Sequence, residues 1–430
     1  MNFLKEEKFD IKEGIKLHLI KTELFKTNLS CVLMTVPLKK ETVTSNALIP
    51  FLLRRGTANL KDQYEINKKL ENLYGSNFDC GIDKSGDNQV IKFYMDGIND
   101  KFLLSKEDLL KQNLDLLFDI VFNPYLENGL FKQEFLEMEK NNLENVINGK
   151  IDDKDFYAFN DCLEKMYGKK GFGLYKYGYL EDLENITLES ISKSYEDLIS
   201  KSKIDIFISG EFDVDSVKDI VFNNENIVKL QGRNSDYIQM NPIEEVKEKV
   251  EKIAEYKEQL NVNQGKLILG LDVNYNKQDY RYVGLIYNAI LGESANSKLF
   301  QNVREKAGLC YTARSSFIKQ KKNIFIRCGI EIPNYQKAVD LIKVQLEDMK
   351  KGNFTEEDLE NAKIFLISGI KSIEAEQDSG IVYYFGQELS GTSEELEQYI
   401  EKIKSVDKNT VLDLASKVEI NTIYFLESKN

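Results

Sequence analysis

Histidine occurs once in this chain of 430 residues, as His18. Imidazole is the commonest metal ligand and the commonest general base near neutral pH. A catalytic zinc needs about three protein ligands drawn from His, Cys, Asp or Glu. One histidine in the short apolar run from Ile15 to Ile20 cannot supply them. The usual zinc-hydrolase chemistry is therefore excluded for the chain by itself. The chain works without a metal of its own, or beside a second protein that has one. Cysteine is also sparse. Cys31, Cys80, Cys162, Cys310 and Cys328 are scattered, odd in number and form no C-x-x-C. That pattern argues against disulfides and a structural zinc, and predicts buried free thiols.

Two further absences narrow the class. No stretch approaches the ~20 continuous apolar residues of a membrane span. Positive charge is in deficit, 58 Lys and Arg against 71 Asp and Glu, for a net charge of −13. That argues against nucleic-acid or anionic-membrane binding, which rests on a positive field. The run Lys319 to Lys322 is the nearest thing to a basic patch, and its place between two strand-like runs predicts a hairpin tip. The first eight residues, Met1 to Lys8, are charged and lack the apolar core of a signal peptide, so a cytoplasmic protein is expected.

What is present is an ordinary globular composition, 42% hydrophobic and 30% charged. At roughly 150 residues per domain the length predicts two or three domains. The halves resemble each other. Leu70 to Phe78, a polar turn at Asp83 to Asn88, and the alternating run Val90 to Met95 ending in Gly97-Ile98 form one pattern. Val303 to Tyr311, a polar turn at Lys319 to Asn323, and Ile324 to Cys328 ending in Gly329-Ile330 repeat it. Each reads as a helix end, a glycine stop and two strands joined by a hairpin. Helical spacing follows at Leu109 to Phe122 and at Ala338 to Met349. A second helix follows in matching register, with Leu136, Glu137, Lys140, Leu143 and Ile147 against Leu359, Glu360, Lys363, Leu366 and Ile370. The Glu/Lys pairs there read as surface ion pairs worth a few tenths of a kcal/mol. Strands are expected at 31–37, 204–208, 266–273 and 422–426. The predicted fold class is α+β: two homologous domains of mixed or antiparallel sheet layered with helices, arranged as a clamshell. The boundaries expected are 1–222 for the first domain, 223–248 for a polar linker and 249–430 for the second.

Most chemical motifs give way to bland readings. Gly168 to Gly173 is glycine-rich but lacks a phosphate loop's G-K-[ST] ending, and reads as a turn. No G-x-S-x-G elbow surrounds a serine, and His18 is the one available imidazole, so serine or cysteine hydrolase chemistry is not expected. His18 reads as a partly buried strand residue. Glu137, Glu139 and Glu144, or Asp152 and Asp153, could pair as carboxylates, but solvated helix faces are the expectation in so acidic a chain.

The segment Leu291 to Tyr311 is more specific. Its L-G-x-x-x-x-S-x-L-F-x-x-V-R-E-K-x-G-L-x-Y run resembles the C-terminal domain of the pitrilysin/insulinase-like zinc peptidases, which include mitochondrial processing peptidase. The resemblance implies a functional Arg/Tyr pair at Arg304 and Tyr311, holding the substrate backbone and stabilising a tetrahedral oxyanion. Such fixed donors suit a developing negative oxygen. The family's H-x-x-E-H zinc motif precedes a Gly-Thr, matched here by Gly56-Thr57. Its two histidine positions then hold Ala47 and Phe51, and its glutamate position holds Pro50. None can bind zinc or move a proton, and the proline predicts a helix start or kink. Glu144 is the candidate vestige of the downstream glutamate ligand. The resemblance covers nearly the whole chain and is strongest to small bacterial members that occur as unlike pairs. It implies a non-catalytic subunit without a cofactor, assisting a homologous H-x-x-E-H subunit that carries zinc. The expected substrate is an extended peptide; nucleic acid and membrane are not expected partners. A homodimer of the isolated chain stays open. The alternative is a catalytically dead peptide-binding or assembly module.

Overall fold

The computed structural model describes residues 4–104, 107–230, 233 and 252–428. It divides into two compact units, each built on its own sheet. The first sheet contains β1 (Glu6–Lys12), β2 (Ile15–Lys21), β3 (Thr27–Pro37), β4 (Asn77–Ser85), β5 (Asn88–Ile98) and β6 (Lys203–Gly210). The second contains β7 (Ala254–Leu260), β8 (Gly265–Val273), β9 (Cys310–Ile318), β10 (Asn323–Ile330) and β11 (Val418–Ser428). Their orders are β1-β2-β6-β3-β5-β4 and β7-β11-β8-β10-β9. Leaving β1 aside, the second order repeats the first. β2 runs parallel to β6 as β7 does to β11, and the other pairs are antiparallel. The duplication legible in the sequence is a duplication of topology, and the α+β class holds. The expected strands lie within β3, β5, β6, β8, β10 and β11, and the 319–322 turn joins β9 to β10.

The first sheet is apolar on both faces, with alternate residues going to opposite sides. Ile15, Leu17, Leu19, Val32, Met34, Ile204, Ile206 and Ile208 join one core, under the helices Val43–Leu53, Leu109–Phe122, Gln133–Gly149 and Leu188–Lys201. Ile20, Cys31, Leu33, Val90 and Phe207 face the other way and pack on Ile381 and Tyr384. Those two residues belong to the helix Gln377–Leu389, which comes from the far end of the chain. Burying side chains of this size stabilises by roughly 1.5–3 kcal/mol each.

The second sheet makes the reciprocal arrangement. The helix Lys154–Tyr167, from the first half of the sequence, packs on β8 and β11. Phe159 meets Phe325 edge-on with centroids 5.2 Å apart. Gly270 in β8 lets this helix come close, since a Cβ there would lie 2.9 Å from Met166 Sδ. Glu258 ties the helix down by accepting from Tyr157 at 2.7 Å and from Tyr424 at 2.6 Å.

The two compact units are therefore not continuous along the chain, unlike the expected division 1–222 and 249–430. One unit is Met1–Gly149, Lys169–Asn241 and Ile373–Ser393; the other is Lys150–Gly168, Pro242–Ser372 and Glu394–Asn430. The cause is that each half's third long helix finds its apolar partner on the sheet of the other half. Within the expected linker 223–248, Glu225–Val228 is a helical turn with Ile227 buried. Residues 234–248 lie outside the described residues. No described helix is long and apolar enough to cross a membrane.

Smaller expectations resolve locally. Lys363 pairs with Glu360 at 2.9 Å, but its counterpart Lys140 donates to the carbonyls of Glu184 and Ile186. Gly168 ends the Lys154–Tyr167 helix at φ +72°. The helix Val43–Leu53 runs through Pro50 rather than starting there. Four cysteines are buried as expected, while Cys80 is half-buried.

Candidate functional site

The positions that resemble a zinc motif are filled with apolar matter. Ala47 is wholly buried, Pro50 is buried and Phe51 packs against the first unit's core. Cys80, on the edge strand β4, points its thiol at the Pro50 carbonyl, 3.4 Å away. Burial pushes that thiol up to about 12. The helix Val43–Leu53 packs against Gln133–Gly149, whose buried residues are Leu136, Glu139 and Leu143. Glu139 is not solvated as expected. It pairs with Arg55, which also reaches Gln63, and it accepts from Asn142 at 2.9 Å. Glu144 lies exposed on the same helix. Asp153 is spent as the N-cap of Lys154–Tyr167. Among the described residues no group of three or more His, Cys, Asp or Glu could hold a metal ion. The residues present do not fit zinc.

His18 is more deeply placed than expected. It is fully buried on β2, stacked on Phe207 at 4.1 Å, with Nδ1 2.7 Å from Glu6 and Nε2 3.0 Å from Asp205. Burial alone would lower its pKa. The hydrogen bonds to Asp205 and Glu6 outweigh that and raise it above the usual value. An imidazole held on both nitrogens by carboxylates is a structural cation, not a free base. Beside it, Glu388 from the exchanged helix takes Lys16 and Lys203 at 2.6 Å and Lys8 at 3.3 Å. Burial opposes ionisation of Glu388, and the two close lysines override it, so its carboxyl sits well below the usual carboxylate range. No sequence pattern flagged this cluster, because its members come from β1, β2, β6 and a helix 185 to 380 residues away.

The Arg/Tyr segment lies in the second unit. Leu299–Lys306 is a widened helical turn that buries Leu299 and Val303. Arg304, near its end, lies over the Phe300 ring at 4.5 Å and 3.6 Å from Glu305, with its side chain 40% exposed. Gly308, at φ +61°, reverses the chain into β9, a conformation that costs other residues roughly 1–2 kcal/mol. β9 is an edge strand of this sheet and packs against the Arg304 turn. Its register with β10 slips at the start: Thr312 opposes Gly329 while Cys310 opposes Ile330. Tyr311 is the extra residue of a β-bulge. A bulge re-aims a side chain at a sheet edge. Here it turns Cys310 inward and leaves Tyr311 68% exposed. Two donors, a guanidinium and a phenol, thus stand open to solvent on consecutive elements at a strand edge. They can hold a peptide backbone or a negative oxygen, and neither can activate water.

Comparison with known proteins identifies the family of the chain. The model of the peptidase M16 inactive domain matches residues 185–366. The chain is 31% identical over 417 residues to the probable inactive metalloprotease YmfF of Bacillus subtilis, covering 96% of each. It is 25% identical over 312 residues to the uncharacterised zinc protease YmxG of the same organism, covering 71% of this chain and 72% of that one. Among solved structures, a conserved protein from Enterococcus faecalis V583 superimposes with a TM-score of 0.87 at 25% identity over 99% of both chains. At this identity and coverage the chain belongs to the M16 peptidases as an inactive member of that family.

Proposed function

We propose that this chain is the zinc-less subunit of a two-chain M16 peptidase. A homologous subunit bearing H-x-x-E-H supplies the metal and the general base. This chain supplies Arg304 and Tyr311 as donors to the peptide backbone and to the oxyanion that forms when water attacks it. The peptide lies extended along the edge of β9, so main-chain bonds dominate affinity and sequence selectivity is loose.

One observation carries the reading: the positions that resemble the zinc motif are packed with apolar side chains, while the Arg/Tyr segment is kept open by a glycine turn and a bulge. The occurrence of an inactive and a zinc-type relative in one organism is consistent with a division of labour.

The test is reconstitution. The purified chain is mixed with a homologous H-x-x-E-H subunit and a peptide library, and cleavage is followed by mass spectrometry. Cleavage that needs both chains is expected. Saturable peptide binding without cleavage in any mixture would overturn the proposal and favour a peptide-binding module.

A further inference from the structure

All five cysteines are free, yet two of them meet beside the Arg/Tyr segment. Cys310 opens β9 and Cys328 lies on its neighbour β10, at 8% and 2% exposure. In the regular part of the ladder Ala313 opposes Cys328. Continued without a break, that register would put Cys310 on the opposite face from Cys328, because side chains alternate along a strand. The bulge at Tyr311 shifts the count by one and sets Cys310 opposite Ile330, on the face that carries Cys328. The same irregularity therefore exposes the tyrosine and brings the thiols together. Both side chains are buried on that face as diagonal neighbours.

Same-face diagonal neighbours have Cα atoms roughly 7–8 Å apart. A disulfide prefers about 4.4–6.8 Å. Joining these sulfurs must pull the first residue of β9 toward β10, at the bulge.

We propose that Cys310 and Cys328 form a reversible dithiol–disulfide couple, oxidised by hydrogen peroxide, whose closure draws the start of β9 onto β10 and displaces Tyr311. The Cys310 thiolate attacks one peroxide oxygen. The O–O bond breaks, hydroxide leaves, and the sulfur becomes a sulfenic acid, oxidised by two electrons. The Cys328 sulfur then attacks the Cys310 sulfur and expels hydroxide, which takes the Cys328 proton and leaves as water. Two thiols and one peroxide give one disulfide and two waters. A dithiol reductant reverses the bond by exchange.

The order of attack follows from the surroundings. Cys310 is the more exposed of the two, at the open start of β9; the neighbouring Cys328 side chain and, next, the Arg304 charge lower its pKa, while the Cys310 side chain and burial raise that of Cys328. Burial raises Cys31, Cys80 and Cys162, so their thiolates are suppressed. Thiolate character decides which cysteine oxidises first. The sulfur chemistry stands apart from the peptide-holding role; the consequence of moving Tyr311 rests on it.

The experiment treats the folded, full chain with hydrogen peroxide, alkylates remaining thiols and maps peptides. The expected first product is a Cys310–Cys328 cross-link, with loss of two of the five free thiols, restored by dithiothreitol. Cys328→Ser is expected to trap a Cys310 sulfenic acid that dimedone labels. Hydrogen exchange of the 307–318 peptide is expected to differ between the reduced and oxidised chains. A first product at any other cysteine, or over-oxidised Cys310 with Cys328 still free in the unsubstituted chain, overturns the couple. Unchanged exchange after cross-linking overturns the displacement. None of these readouts needs peptide cleavage, so failure of the subunit proposal would leave them separately decidable.

Discussion

The helix Gln377–Leu389 is held on the first unit's sheet by a buried ionic lock, and Glu388 is its centre. The substitution Glu388→Gln keeps the volume and removes the charge. Lys203 is the partner that matters most, because both side chains of that pair are only 10% exposed and 2.6 Å apart. Removing one member of a buried pair costs about 3–5 kcal/mol, since the other is left without compensation. Lys16 and Lys8 retain water, at 36% and 28% exposure, and add about 0–1 kcal/mol each. Glutamine still accepts a hydrogen bond, and Asp205 lies 3.7 Å from Lys203, so the lower figure of about 3 kcal/mol is expected at pH 7. Hydrogen exchange of the 377–389 peptide reads the opening of this helix directly. A loss of protection of about a hundredfold is expected there, with the 154–167 helix unchanged. Because the folded Glu388 carboxyl lies below its ordinary value of 4.5, its contribution is complete above that value. It fades as pH falls through 4.5 toward the lower folded value. The difference between the two chains must shrink in acid. A loss below tenfold at pH 7, an equal loss at 154–167, or a difference that persists unchanged in acid would refute the lock.

Two further outcomes test the packing. His18 has a folded pKa above its ordinary 6.5, so its stabilisation is complete below that value and is lost as pH rises through the folded one. Thermal unfolding should show the midpoint declining on the alkaline side, and His18→Gln should start lower and flatten the decline; parallel profiles would count against the buried cation. Gly270→Ala places a Cβ 2.9 Å from Met166 Sδ and 3.2 Å from Phe325, and should destabilise by about 1–2 kcal/mol in urea unfolding. The double variant with Met166→Ala should lose less than the sum of the two single losses, and additive losses would show that the two sites do not touch.

The sequence carried the duplicated hairpins because each has its own local marks: a glycine stop, alternating apolar residues and a polar tip. The family was legible because a whole run of residues around Arg304 and Tyr311 resembles it. The exchange of helices was not legible. Neither Lys154–Tyr167 nor Gln377–Leu389 was among the expected elements, and nothing local tells which sheet an apolar stripe will meet. Glu139 and His18 were misjudged for a similar reason. A charged residue looks solvated until its partners, Arg55 in one case and Asp205 in the other, arrive from distant segments. The bulge at Tyr311 was hidden too, since a one-residue slip leaves no mark in composition.

The central claim is that Arg304 and Tyr311 act on a reaction whose metal sits in another chain. Turnover of the reconstituted pair, measured with Arg304→Ala and Tyr311→Phe beside the zinc content of the H-x-x-E-H subunit, tests it most directly. Loss of one oxyanion donor costs about 10²–10³ in kcat, so a fall of that size with unchanged zinc is the predicted result. Near-normal turnover by either variant would contradict the account.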